Sequence, residues 1–369
     1  MVKEGQFVVG QDLAVTPGTV VTRDDHAELI HYTPTTVQVY ERPTLINPPP
    51  IGRFYFLDMS PERSFVEYAT DSGIQTYLLS WRNPTRQQRA WTVDDYADRI
   101  IRAIDEVREA TGQDRVNLIG FCAGGILATV ALNALAARDE DPVANLAMAV
   151  TLLDFGGQYP INTFGHSPLL SLAKWNSRRK GIIDAKSMGA EPPAFDILSW
   201  NADGTALPAA LHGQFLELFR TNGLTSKGDV EFLGAPFDLA TITVPSFHVG
   251  AVNDHLTPWR GNYRNTELLG STDVTFALSN AGLIASLVNP PGNPKASYHV
   301  GEGAGELDAD TWRERSEKRT GSWWEYWVEW SAERSGGMVD APGPDDQSLG
   351  PPRVSTWSTR WREGTTTTR

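Results

Sequence analysis

Short apolar runs and longer helical patterns take turns through most of this 369-residue chain. Runs at 28–32, 43–46, 75–81, 116–121, 147–154, 246–251 and 274–279 have the length and composition of buried strands. Separated by helix-period segments, such strands need crossover connections, and crossovers build a mostly parallel sheet with helices on both faces. Ser60-Pro61-Glu62 reads as an N-cap, a proline at the first helical position and an early acid, opening a helix that reaches Asp71 and stops at Gly73. A second helix opens at Thr92, with Asp94 and Asp95 in its first turn and Tyr96, Ile100, Ile104 and Val107 on one face before Gly112. It is expected to cover the sheet. Trp323, Trp327 and Trp330 recur at helical spacing and read as packing. The rhythm is lost after Gly156, so a small cap insertion is expected over 156–195 within a domain spanning 1–335. Residues 336–369, rich in Gly, Pro, Ser and Thr, are expected to form a disordered tail.

Composition narrows the class. With 40% hydrophobic and 21% charged residues the chain reads as a soluble globular protein. No apolar run approaches the roughly 18 residues of a spanning helix, and the opening MVKEGQF has no signal-peptide core. A cytoplasmic location is the expectation. A net charge of -13 argues against nucleic acid as a partner, and the local basic cluster Arg178, Arg179 and Lys180 reads as a solvated loop. The one cysteine excludes an internal disulfide and a cysteine-rich metal site, which leaves packing or reactivity. His26, His31, His166, His248 and His299 show no ligand spacing, so no metal is expected.

The chemistry concentrates at residues 116–125, where an apolar strand runs through Gly120-Phe121-Cys122-Ala123-Gly124 into a helical pattern. This is a nucleophile elbow, G-x-C-x-G, and it points to an α/β-hydrolase fold. The nucleophile of such an elbow sits on a strained strand-to-helix turn, which demands small neighbours. The helix N-terminus beneath Cys122 is expected to lower its pKa, and the Ala123 N–H to serve as one oxyanion donor. The second donor is expected from Asn47-Pro48-Pro49-Pro50-Ile51-Gly52. The prolines carry no N–H, which leaves Ile51 or Gly52.

GFCAGG resembles the G-x-C-x-G-G box of polyhydroxyalkanoate synthases, which polymerise 3-hydroxyacyl-CoA thioesters into storage polyester. RPTLINPPPIGRFYFLDMSPERSFV, LLSWRNP, TLLDF, PPAFDILSWNAD with LPAALH, NDHLTPW, NPPGNPKASY and GSWWEYW are similar to landmarks of the same family, over roughly residues 7 to 332. The resemblance implies a thioester on Cys122, a hydroxyacyl-CoA substrate and no cofactor. It also implies a polyester granule surface, a homodimer or an active synthase as partners. The family's acid in D-H-x-x-P-W maps onto Asp254, just past the 246–251 run. Where the family carries its base, in S-G-H-I, this chain reads Ala281-Gly282-Leu283-Ile284. Leucine can neither accept a proton nor hydrogen-bond a thiol. His255, beside the acid, is the substitute to weigh, although the family has a histidine there too. His212 looks like family packing. The cap is also shorter than the family's, and little of the region preceding the catalytic domain is expected. The resemblance therefore implies a synthase-like acyltransferase. An impaired relative that binds granule or synthase is the alternative, and a slow thioesterase a third reading.

Overall fold

The computed structural model describes residues 7–157, 196–282, 287–303, 307–343 and 348–352. The expected cap, the Arg178–Lys180 cluster and Leu283 lie outside the described residues, apart from Gly156 and Gly157 at the start of the cap.

Fourteen strands are described: β1 (Gly18–Arg23), β2 (Ala27–Tyr32), β3 (Gln38–Tyr40), β4 (Thr44–Asn47), β5 (Thr76–Trp81), β6 (Val116–Phe121), β7 (Val143–Ala149), β8 (Glu231–Phe232), β9 (Ala235–Pro236), β10 (Ser246–Ala251), β11 (Val274–Ser279), β12 (Ser297–Glu302), β13 (Glu317–Thr320) and β14 (Met338–Asp340). Ten of them form one sheet in the order β1-β2-β5-β4-β6-β7-β10-β11-β12-β13. The six from β5 to β11 in that order are parallel, and the two strands at each margin are antiparallel. This is the expected mostly parallel sheet.

Side chains alternate between two cores because successive residues of a strand point to opposite faces. Leu29, Leu45 and Leu118 join one core with the Val93–Thr111 and Ala123–Ala136 helices. Their neighbours Ile30, Ile46 and Ile119 join the other, with the Phe65–Asp71 and Trp323–Ala332 helices. Trp323, Trp327 and Trp330 are buried there as packing, with Trp324, and the Phe65 ring lies 4.8 Å from that of Trp327. The Val93–Thr111 helix matches its expected bounds: Asp95 Oδ2 accepts from the Thr92 N–H at 2.7 Å, and Gly112 closes it at φ 67°.

Three expectations need correction. The first helix starts at Phe65, not after Ser60, because the Ser64 hydroxyl accepts the Glu67 N–H at 3.0 Å and caps it. Ser60 instead opens a turn closed by the Arg63 N–H, with Glu62 at φ 65°. β7 covers 143–149 and not 147–154, since Val150 at φ 48° turns the chain out of the sheet. The segment beyond 335 is not structureless throughout: β14 pairs antiparallel with β3, and Leu349 and Gly350 exchange backbone hydrogen bonds with Val20 of β1.

Candidate active site

β6 runs directly into the Ala123–Ala136 helix, and Cys122 between them takes φ 50°, ψ −121°. A non-glycine residue in such a region costs about 1–3 kcal/mol, so its surroundings must hold it. The Cys122 N–H donates to the Ala149 carbonyl at 2.9 Å, and the Cys122 carbonyl accepts from the Gly125 N–H at 3.0 Å and from Thr151 Oγ1 at 3.1 Å. Gly124 is required by close approach: a Cβ there would lie 2.3 Å from the Asn47 carbonyl oxygen. Asn47 Nδ2 donates to the Gly124 carbonyl at 2.8 Å, which stitches the end of β4 to the elbow.

The thiol is not activated in the way the helix terminus alone predicts. Burial pushes Cys122 up to about 11; the Ala123 N–H, bonded to the sulfur, opposes this and the Asp254 charge adds to it. The residue as a whole keeps some exposed surface, but loss of solvent around the sulfur outweighs the helix.

Asp254 follows β10, and Cys122 follows β6. Both therefore emerge at the carboxyl ends of parallel strands, with β7 between them in the sheet. The Asp254 carboxylate is buried. Its Oδ1 accepts from the N–H groups of Leu256 at 2.8 Å and Thr257 at 3.0 Å, and its Oδ2 from Thr257 Oγ1 at 2.6 Å. His255 is exposed where its neighbour is buried, so the chain sends the two side chains to different surroundings. The loop after β11 is tied to the acid loop, the Asn253 N–H donating to the Ala281 carbonyl at 3.2 Å. Leu283 comes two residues later.

In the loop after β4, the Gly52 N–H donates to Thr205 Oγ1 at 2.7 Å, which removes Gly52 as an oxyanion donor. Ile51 is left as the N–H without a partner among the described residues. Sequence reasoning missed three groups around this site. Thr205 is one. The carboxamides of Asn262 and Asn265 are the others, each donating to the Thr151 carbonyl at 2.7 Å and so tying the helix after the acid loop to the segment beside the elbow. No spacing in the chain marks these residues, because each acts on a backbone group distant in sequence.

Residues 1–69 match a family model described as the poly-beta-hydroxybutyrate polymerase (PhaC) N-terminus, and residues 56–164 match one described as the alpha/beta hydrolase fold. Poly(3-hydroxyalkanoate) polymerase 1 of Ectopseudomonas oleovorans is 39% identical over 359 residues, covering 91% of this chain and 64% of its own. Along most of its length the chain is similar to poly(3-hydroxyalkanoate) polymerases. The poly(3-hydroxyalkanoate) polymerase subunit PhaC of Cupriavidus necator is 35% identical over 92% of this chain and 62% of its own. The chain thus spans somewhat under two thirds of the length of these relatives. Among the described residues no helix is long and apolar enough to cross a membrane.

Proposed function

We propose that this chain is a synthase-like acyltransferase that takes an (R)-3-hydroxyacyl group from its CoA thioester onto Cys122 and passes it to a growing polyester. In the first step a bond forms between Cys122 Sγ and the acyl carbon, the bond from that carbon to the CoA sulfur breaks, and the thiol proton ends on CoA. In the second, the hydroxyl oxygen of another 3-hydroxyacyl group attacks the enzyme thioester, an ester forms, and Sγ leaves and regains a proton. The observation that carries this reading is the strained elbow, with the Ala123 N–H at the sulfur and Asp254 near enough to act on it.

Ala123 and Ile51 are the proposed oxyanion donors, and Asp254 the acid that would orient a base. The base position belongs to Leu283. His255 is a poor substitute because it is exposed beside the buried Asp254. A chain that binds polyester granules or an active synthase without turning over is the second reading, favoured by Leu283 and by a thiol held near 11.

The test is CoA release and polymer formation from 3-hydroxybutyryl-CoA by the unmodified chain, Cys122→Ala and Leu283→His. We expect slow release by the unmodified chain and none through Cys122→Ala. Leu283→His should gain at least about a hundredfold, the usual worth of a positioned general base. Release that survives Cys122→Ala would overturn the acyltransferase reading. A silent Leu283→His would turn attention to the short cap and to the binding role.

A further inference from the structure

We propose that Thr205 is a positioning residue that fixes the second oxyanion donor through its one hydroxyl, an inference that rests on the acyl-transfer reading above. Two peptide planes flank the Cα of Ile51. The one before it carries the Pro50 carbonyl and the Ile51 N–H; the one after it carries the Ile51 carbonyl and the Gly52 N–H. Thr205 Oγ1 accepts from the Gly52 N–H at 2.7 Å and donates, in a longer contact, to the Pro50 carbonyl at 3.4 Å. One hydroxyl therefore holds both planes. Because a trans peptide sets its C=O and N–H antiparallel, drawing the Pro50 oxygen toward Thr205 turns the Ile51 N–H away from Thr205. An oxyanion donor needs that kind of fixed direction, since its worth lies in being aimed before charge develops.

Thr205 is itself held. It ends a segment, beginning with the Asp196–Ala202 helix, that is fastened to residues 50–63 at several points. Arg63 Nη1 pairs with Asp196 at 2.6 Å, and Trp200 Nε1 donates to the Arg53 carbonyl at 2.9 Å. Tyr55 Oη donates to Asp203 Oδ2 at 3.0 Å, and Arg53 Nη2 reaches Asp203 Oδ1 at 3.4 Å. The Trp200 ring lies so close to Gly52, at φ 94°, that a Cβ there would stand 2.7 Å from Trp200 Cζ2. Residues 196–205 and the oxyanion loop are thus one fastened unit, and Thr205 is its contact nearest to Ile51.

The experiment compares two reactions of Cys122 in the full chain, wild type against Thr205→Val and Thr205→Ser. Acylation by 3-hydroxybutyryl-CoA, followed by intact mass, passes through an oxyanion; alkylation by iodoacetamide does not. Thr205→Val should lower the acylation rate at least about tenfold, a part of what deleting a donor outright costs. Its alkylation rate should stay within about twofold, and Thr205→Ser should restore acylation. Amide exchange at Gly52 should speed up in Thr205→Val and not in Thr205→Ser. Acylation of Thr205→Val at the wild-type rate overturns the positioning role and leaves the acyl-transfer reading intact. Equal losses in both reactions overturn it as well, since they mark a general disturbance. A wild-type chain that alkylates but is never acylated sinks the acyl-transfer reading, and this proposal with it.

Discussion

At pH 7 a thiol held near 11 is ionised in only about one molecule in ten thousand, against a few per cent for an unperturbed cysteine. Cys122 therefore depends on a proton acceptor more than its place at a helix N-terminus implies. This predicts the pH profile of iodoacetamide labelling. The rate should climb about tenfold per unit through pH 9 and still be climbing at pH 10, whereas an unshifted thiol levels off near pH 9. A plateau near pH 8 would mean that the helix terminus prevails over burial after all. Cys122→Ala, which removes the only thiol, is the blank.

At the scale of elements, the elbow rests on contacts that tolerate no added atom. Gly124→Ala would drive a methyl into the Asn47 carbonyl, and we expect it to cost about 3 kcal/mol in chemical denaturation, at the upper end for overpacking. Ser64→Ala should cost about 1 kcal/mol as a lost cap, with a further loss because Ser64 Oγ also donates to buried Asp58 at 2.8 Å. Ser60→Ala should cost less, since Ser60 caps nothing. The two results together check where the first helix begins.

The same scale shows what could be read in advance. β6, β10 and β11 match their expected bounds to the residue because strands buried on both faces are nearly continuous apolar runs, and such runs stop where burial stops. β7 misled because the run continues as Thr151-Leu152-Leu153 after the backbone has already turned at Val150. β13, Glu317-Lys318-Arg319-Thr320, offers no apolar pattern to find. At the site, Cys122 and Asp254 were marked by motifs. Thr205, Asn262 and Asn265 were not, because each serves a backbone carbonyl or N–H that only the folded chain brings near.

For the whole molecule, two buried groups pull its pH dependence in opposite directions. Burial lowers His248 to about 3, so the folded chain refuses a proton that the unfolded chain accepts below about 6.5. Stability from the neutral ring is complete above 6.5 and is lost as pH falls, by about 1.4 kcal/mol per unit down to about 3. His248→Leu should abolish that slope in urea titrations from pH 6.5 to 4. Asp58 is the reverse: burial raises it to about 6, against the hydrogen bonds from Thr16 and Ser64. Its contribution is complete below the unfolded value near 4 and disappears as pH rises through 6, about 3 kcal/mol in all. Relative to Asp58→Asn, the wild type should therefore gain stability between pH 6 and pH 4. A difference that does not vary with pH would show that Asp58 titrates in the folded chain as it does in the unfolded one.

The pairing of the C-terminal segment bears on how the molecule behaves at high concentration. β1 is one margin of the ten-stranded sheet, and its outward backbone groups at Val20 are met by Leu349 and Gly350; β3, with Val39 buried, has its open side met by β14. The opposite margin, β13, carries Glu317, Lys318 and Arg319 and repels a docking strand by charge. Of these three open flanks, two are thus insulated by the segment whose composition reads as dispensable. A chain ended at Ser335 would bare both rows of unpaired N–H and C=O groups to other chains. It should keep its melting cooperativity when dilute, yet scatter light and pellet as it is concentrated, and Lys placed at Val20 or Val39 would be the wrong cure, since both side chains are buried.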